Sequence, residues 1–457
     1  MPETTAVHHP RRHLLRTGHL LRTGHLLRTG HLLRPRRRLR TGRTLRTRHL
    51  LPTRHVLATR PGIRRAAGRL DAVTPPERDR AVDALRALAI LGVVLGHWLV
   101  TALVADGGTL RAASPLGPMP WLAPVSWAFQ TLAVFFMVGG HVATKSHASA
   151  RARGVSYGGW LRARLARLFV PVAAMTGLWT VATVCLLLGG ASFTTVHTVV
   201  KLALSPLWFL LVFAALTAVT PLVARLNPLW PLAVVLHVDL VRFGLGGPSW
   251  LGWVNLAAGW LVPYTLGAAW TRGELERRRA GRLLCAGGAV ATAVLVAWAG
   301  YPASMVGVPG AAVSNLNPPT LAAVTFGLAQ CGAALLLRDR LRRAMRRPVL
   351  WAAVALVNLS AMTVFLWHQT ALMATTATGL LAGRLPGLHT VPDGLGWVAA
   401  RLLWLPVFAA VLAVCWAAFH GFENRGGRRP RTGPAGSRVV RVGRLPQTSE
   451  LQEARRA

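Results

Sequence analysis

Asp83-Ala-Leu-Arg86-Ala-Leu-Ala-Ile-Leu-Gly-Val-Val-Leu-Gly-His97-Trp98 is a stretch of small and aliphatic residues interrupted by an acid, a guanidinium and an imidazole. Between Arg86 and His97 every residue is Ala, Leu, Ile, Val or Gly. On a helix, eleven residues advance about 20° past three full turns and rise about 16 Å, so both polar groups share one face. A stretch this apolar is expected to cross a bilayer. An ionisable ring deep within it is costly unless it lines a cavity or finds a partner. His97 is therefore either a functional group or a neutral hydrogen-bond donor between helices.

Working outward, apolar runs of about 20 residues recur, each the length needed to span a hydrocarbon core of roughly 30 Å. Ten are expected, at 83–104, 122–143, 168–189, 203–223, 228–241, 251–271, 283–301, 319–337, 351–376 and 398–419. The fifth is short and carries His237 and Asp239, and Asp239 is placed to pair with Arg242. With the N-terminus inside, the inner joints 145–167, 224–227, 272–282 and 338–348 carry 18 Lys or Arg. The outer joints carry only Arg111, Lys201, Arg242 and Arg384. That asymmetry fits the positive-inside rule and puts both termini in the cytoplasm. The fold class expected is all-α, a polytopic membrane protein with about ten helices in the inner (plasma) membrane.

Composition agrees. Of 457 residues, 53% are hydrophobic and 15% charged, with a net charge of +39. A disordered basic protein lacks that apolar mass, and a water-soluble globule carries a more evenly charged surface. Much of the excess sits in the terminal segments, +16 in residues 1–80 and +6 in 420–457. Three domains follow: an Arg-rich arm at 1–78, a membrane domain at 79–420 and a basic tail at 421–457. In the arm, His13-Leu-Leu-Arg-Thr-Gly repeats from His19 and His25 and begins again at His31. A period of six suits neither a helix nor a solenoid, so arm and tail are expected to be disordered. The arm is either a lipid-attracted or targeting segment or the product of a wrongly assigned start codon. No zinc-finger spacing, RNA-binding motif or helix-turn-helix pattern accompanies the charge, so nucleic acid is not an expected partner. Cys185, Cys285, Cys331 and Cys415 lie unpaired in apolar runs, and no HExxH or His/Cys cluster suggests a metal.

The motifs, taken in order, resemble those of the acyltransferase 3 family, integral membrane enzymes that O-acylate glycans, lipids and secondary metabolites. Arg86 and His97 match the family's arginine, ten residues, then histidine in the first helix. Phe135-Phe136-Met-Val-Gly139-Gly140 looks like its Phe-Phe-x-x-Ser-Gly motif, with Gly139 in place of Ser. Trp160-Leu-Arg162-Ala-Arg164-Leu-Ala-Arg167-Leu-Phe-Val-Pro171 looks like its basic joint. Trp208-Phe209-Leu210 looks like its Trp-Phe-Leu signature, and Phe365-Leu-Trp-His368 like its Tyr-Leu-x-His, with Phe365 in place of Tyr. The resemblance covers residues 79 to about 420, and the glycine version looks like an actinobacterial branch.

The resemblance implies acyl-CoA as co-substrate, a hydroxyl-bearing acceptor and no further cofactor. His97 then serves as the base that takes the hydroxyl proton, an imidazole with an ordinary pKa near about 6.5 being suited to that at neutral pH. Arg164 and Arg167, with Arg162 less well matched, either grip the donor's phosphates or simply fix topology. Arg86 orients the donor or steadies the thioester carbonyl, and Asp83 is placed to hold it by an i, i+3 contact, unless the two are a structural ion pair. His368 either lines the same cavity or packs helices, and Trp208 is a cavity-wall or packing residue. The rival reading is a proton-coupled transporter or flippase with His97 and Asp239 on its proton path, although no two similar halves are visible.

Overall fold

A computed structural model describes residues 60–425 of the chain. The repeats of the expected arm and most of the basic tail lie outside the described residues. The rest is helical, with one small hairpin. The arm expected as disordered to 78 is helical over α1 (Arg60–Ala72). Leu70 of α1 packs near the buried Trp351, Arg80 pairs with Asp71 at 2.5 Å, and the Trp351 indole donates to Thr74 at 3.0 Å. These contacts give α1 its burial.

Helix α2 (Arg80–Val100) starts where Asp79 accepts from the Ala81 amide and ends at Thr101, which turns extended. The first expected span ran on to 104, but Ala102–Asp106 (β1) and Thr109–Ala113 (β2) instead form an antiparallel hairpin. Its turn is Gly107-Gly108, both at positive φ (53° and 77°), the conformation that favours two-residue hairpins and that a helix cannot contain.

The chain continues through α3 (Leu132–Ala152), α4 (Tyr157–Leu188), α5 (Phe193–Leu204), α6 (Leu207–Ala218), α7 (Leu229–Asp239) and α8 (Val254–Thr271). It ends with α9 (Arg278–Trp298), α10 (Leu321–Ala344), α11 (Pro348–Leu359), α12 (Ala361–Gly379) and α13 (Leu395–Arg425). Each expected span has a helix, yet boundaries move. The second is broken: Pro120 and Pro124 start two short helical turns, and the long helix begins only at Leu132. Ser156 caps the third early by accepting from the Gly159 amide, so the basic joint is helical. The ninth breaks at Ser360 with a 74° bend, and the last runs on to Arg425, into the segment expected as tail.

Among the described residues, six helices are long and apolar enough to cross a membrane, seven if the bent pair α11–α12 counts as one. That is fewer than the ten crossings expected. With α5 and α6 counted as one span over Phe193–Ala218, the three that fall short are α3, α7 and α8. Helix α7 has only 11 residues. Helix α8 buries most of its length, including Asn255, Tyr264 and Thr265, and α3 buries the His141 side of its course. Helices shielded by protein do not need the hydropathy that lipid contact demands.

Glycine makes the shielded pair possible. A Cβ at Gly140 would fall on the Tyr264 carbonyl of α8, and one at Gly267 on the Met137 carbonyl of α3. The main core surrounds this contact and includes Trp98, Phe136, Phe209, Trp260, Tyr264 and Phe365. Forcing a methyl into such a seam costs about 1–3 kcal/mol or more. Gly267→Ala is expected to lower the thermal midpoint of the detergent-purified protein by about 5 °C or more. Gly287→Ala, whose Cβ would meet nothing within 4 Å, should leave it unchanged or raise it, and equal midpoints for the two variants would contradict the seam.

Candidate active site

Helix α2 carries His97 in its last turn and α12 passes beside it. Two hydrogen bonds cross between the helices at adjacent residues. Gln369 on α12 meets His97 Nδ1 through its side-chain amide at 2.9 Å, and the Trp98 indole donates to the His368 carbonyl at 2.9 Å. The rings of His97 and His368 lie 5.0 Å apart, tilted by 45°.

Proton positions follow from the partners. His368 Nδ1 is 2.6 Å from the Phe365 carbonyl, which can only accept, so Nδ1 carries the hydrogen and the neutral ring has a bare Nε2. That Nε2 is buried and meets no partner among the described residues. Gln369 can serve either tautomer of His97: its amide nitrogen donates to a bare Nδ1, and its oxygen accepts from a protonated one. The two orientations have nearly the same shape. Neither needs the other end of the amide, and Gln369 Oε1 is buried and unpartnered.

His97 and Gln369 face a cavity of about 430 Å3, whose wall also includes Trp208, Phe365, Gln130 and Lys201. Trp208 is thus a wall residue, half-buried. His368 is fully buried behind the wall and does not line it. The second residue of the His368-Gln369 pair is the one that touches His97, and nothing in the motif singled it out.

The end of α2 near the ring is held by Arg401 of α13, 1% exposed. Its guanidinium donates to the carbonyls of Trp98 (2.7 Å), Gly387 (2.8 Å) and Thr101, and it lies over Phe408 at 4.9 Å. A helix ends with unpaired carbonyls, and this fork supplies their donors. An arginine inside the apolar run 398–419 was a signal available in the sequence.

The other predicted residues gather at the opposite end of α2. Arg86 makes no hydrogen bond or salt bridge among the described residues, and the charges of Asp83, Glu423 and Arg78 act on it through space. The expected i, i+3 grip is absent: the Asp83 carboxylate takes two hydrogen bonds from Arg78, at 2.6 and 3.2 Å. Arg78, in the segment before the helix, folds back and takes both carboxylate oxygens in place of Arg86. Arg164 donates to the Val142 carbonyl at 3.3 Å, lies over Trp160, and is near enough to Arg86 and Arg167 for their charges to oppose its own. Arg167 is exposed, and Arg162, also exposed, lies about 160° around α4 from Arg164. Arg86 does not line the His97 cavity.

Glu423 is an unforeseen member of this end. Its carboxylate accepts from the amides of Met362 and Thr363 and from the Thr363 hydroxyl at 2.8 Å, capping α12 at the break. Nearby, burial would raise the Asp79 carboxyl, but hydrogen bonds from Arg342 and Arg338 outweigh it and hold that group below its ordinary range. Asp239 is engaged elsewhere, by Asn255 (2.9 Å), Tyr301 (3.0 Å) and the Leu321 amide (2.6 Å), with Arg242 at 3.8 Å. No group of three or more His, Cys, Asp or Glu among the described residues is placed to hold a metal ion.

Fold and site together define a polytopic helical membrane protein with a paired imidazole beside an internal chamber. The pattern of the acyltransferase domain of the acyltransferase 3 family matches residues 79–420, and the chain belongs to that family. It is an acyltransferase, of the kind that moves groups other than aminoacyl groups. No curated protein and no solved structure matches the chain.

Replacing Arg401 by Met keeps the volume and strands three carbonyls, each worth about 1–3 kcal/mol when buried unpaired. Arg401→Met is expected to lower the thermal midpoint by about 5 °C or more. A midpoint equal to wild type would remove Arg401 from the support of α2.

Proposed function

We propose that the protein is an O-acyltransferase of the inner (plasma) membrane. It moves an acyl group from cytoplasmic acyl-CoA to a hydroxyl of a glycan, lipid or secondary metabolite, and requires no further cofactor. The observation that carries this reading is the ring of His97 on a cavity wall, held at Nδ1 by Gln369, so that Nε2 is the nitrogen left for chemistry.

His97 acts as the general base. With the Gln369 oxygen accepting from Nδ1–H, Nε2 is bare and takes the proton of the acceptor hydroxyl as its oxygen attacks the thioester carbonyl. The new C–O bond forms, the C–S bond breaks, and the proton returns from Nε2 to the departing CoA sulfur. A direct attack suits this chamber. Its serines 114, 126 and 205 bond to backbone groups, none of them to His97. His368, with its bare Nε2 behind His97, orients the ring or shares the proton.

The donor enters from the end that carries Arg86, Arg164 and Arg167. Guanidinium groups there meet the phosphates of CoA, a match of planar forks to tetrahedral anions. Arg86, about 16 Å along α2 from His97, orients the donor as it approaches. The charge bias of the joints puts this end, and both termini, in the cytoplasm.

His97→Ala is expected to cut acyl transfer by about 100- to 10,000-fold while the protein still inserts and folds. Thioester consumption by purified protein reads this, and wild-type turnover would remove His97 as base. Gln369→Leu should lower turnover by about tenfold to a hundredfold by freeing the ring, with donor KM unchanged. Arg164→Ala combined with Arg167→Ala should instead raise donor KM by about tenfold with little loss of kcat. An unchanged KM would leave these arginines to topology.

A further inference from the structure

The four cations expected on the side away from the basic joints are Arg111, Lys201, Arg242 and Arg384, on the side where such charges are sparse. The structure accounts for three. Arg111 pairs with Asp106 at 3.0 Å across the hairpin. Arg242 lies 3.8 Å from the buried Asp239. Arg384 donates to the Ala105 carbonyl, pinning the hairpin. Lys201 has no hydrogen bond or ion pair among the described residues, and it is the one that lines the His97 cavity.

Among the described residues the chamber wall is otherwise apolar or neutral-polar, with no Asp or Glu, and Lys201 and His97 are the only titratable groups on it. Lys201 sits in the last turn of α5, where the helix dipole favours a cation. That makes the charge cheap to keep but does not supply a counterion. The volume, about 430 Å3, is towards the small end of small-molecule sites. A hydroxyl at His97 and a group at Lys201 therefore belong to one compact moiety.

We infer that the acceptor carries an anionic group, a carboxylate or a phosphate, close to the hydroxyl that is acylated, and that Lys201 recognises it. The inference rests on acyl transfer at His97. Lys201 selects and orients the acceptor and takes no part in bond making. It also disfavours cationic acceptors by like-charge repulsion.

The test compares cells expressing wild type, His97→Ala, Lys201→Gln and Lys201→Arg at equal membrane abundance. Lipids, wall glycans and secreted metabolites are searched by mass spectrometry for a species that gains an acyl mass with wild type and not with His97→Ala. The species is expected to bear a carboxylate or phosphate, which fragmentation tells apart. Its yield should fall about fivefold with Lys201→Gln, the scale of an exposed ion pair, and return with Lys201→Arg. A neutral product, a Lys201→Gln yield equal to wild type, or no rescue by Arg overturns the anionic acceptor while leaving acyl transfer intact. If wild type and His97→Ala give the same acylated species, the acyl-transfer reading fails, and this inference with it.

Discussion

Two hydrogen bonds between α2 and α12, formed by adjacent residues on each, hold the centre of this molecule. Gln369 fixes the His97 ring, and Trp98 reaches back to the carbonyl of His368. Because the two bonds join adjacent residues on each helix, they fix the register of α2 against α12. Arg401 then secures the end of α2 from the far side, and Glu423 secures the start of α12. The pairs Gly140–Tyr264 and Gly267–Met137 bring α3 and α8 together within the same core. An imidazole in a bilayer-spanning protein is costly, and this bracing is what turns it into a fixed feature.

The division of charge follows from the same helix. One end of α2 meets arginines of α2 and α4 with few direct partners, and the other end meets a nearly neutral chamber. On the proposed reading this separation suits a polyanionic donor and a different acceptor: cations at one end draw phosphates, and the chamber at the other is free to recognise something else.

The sequence made much of this visible. The eleven-residue spacing placed Arg86 and His97 on one face, and apolar runs located a helix for every expected span. Boundaries were less legible, because they depend on turns: Gly107-Gly108 ends the first span in a hairpin, and Ser360 breaks the ninth. The number of lipid-facing crossings was hidden for another reason. Helices α3 and α8 are apolar enough to read as spans but owe their position to contact with other helices, which a run of residues does not reveal. At the site, Trp208 takes the cavity-wall place that was one of its two readings and shares that wall with His97, but Gln369 and Lys201 emerge only once distant helices meet. Asp83 was misassigned to Arg86 because a neighbour on the same helix is easier to foresee than Arg78 folding back from the segment before it.

The size of the chamber has a consequence for what competes inside it. At about 30 Å3 per molecule in the liquid, 430 Å3 is room for roughly a dozen waters. Each is a rival nucleophile for an activated acyl carbon. With acyl transfer in this chamber, as proposed, hydrolysis is the reaction the architecture must suppress, and whatever enters has to empty the room as it arrives. Aromatic walls at Trp208 and Phe365 favour that eviction, so fidelity here is partly a matter of drying.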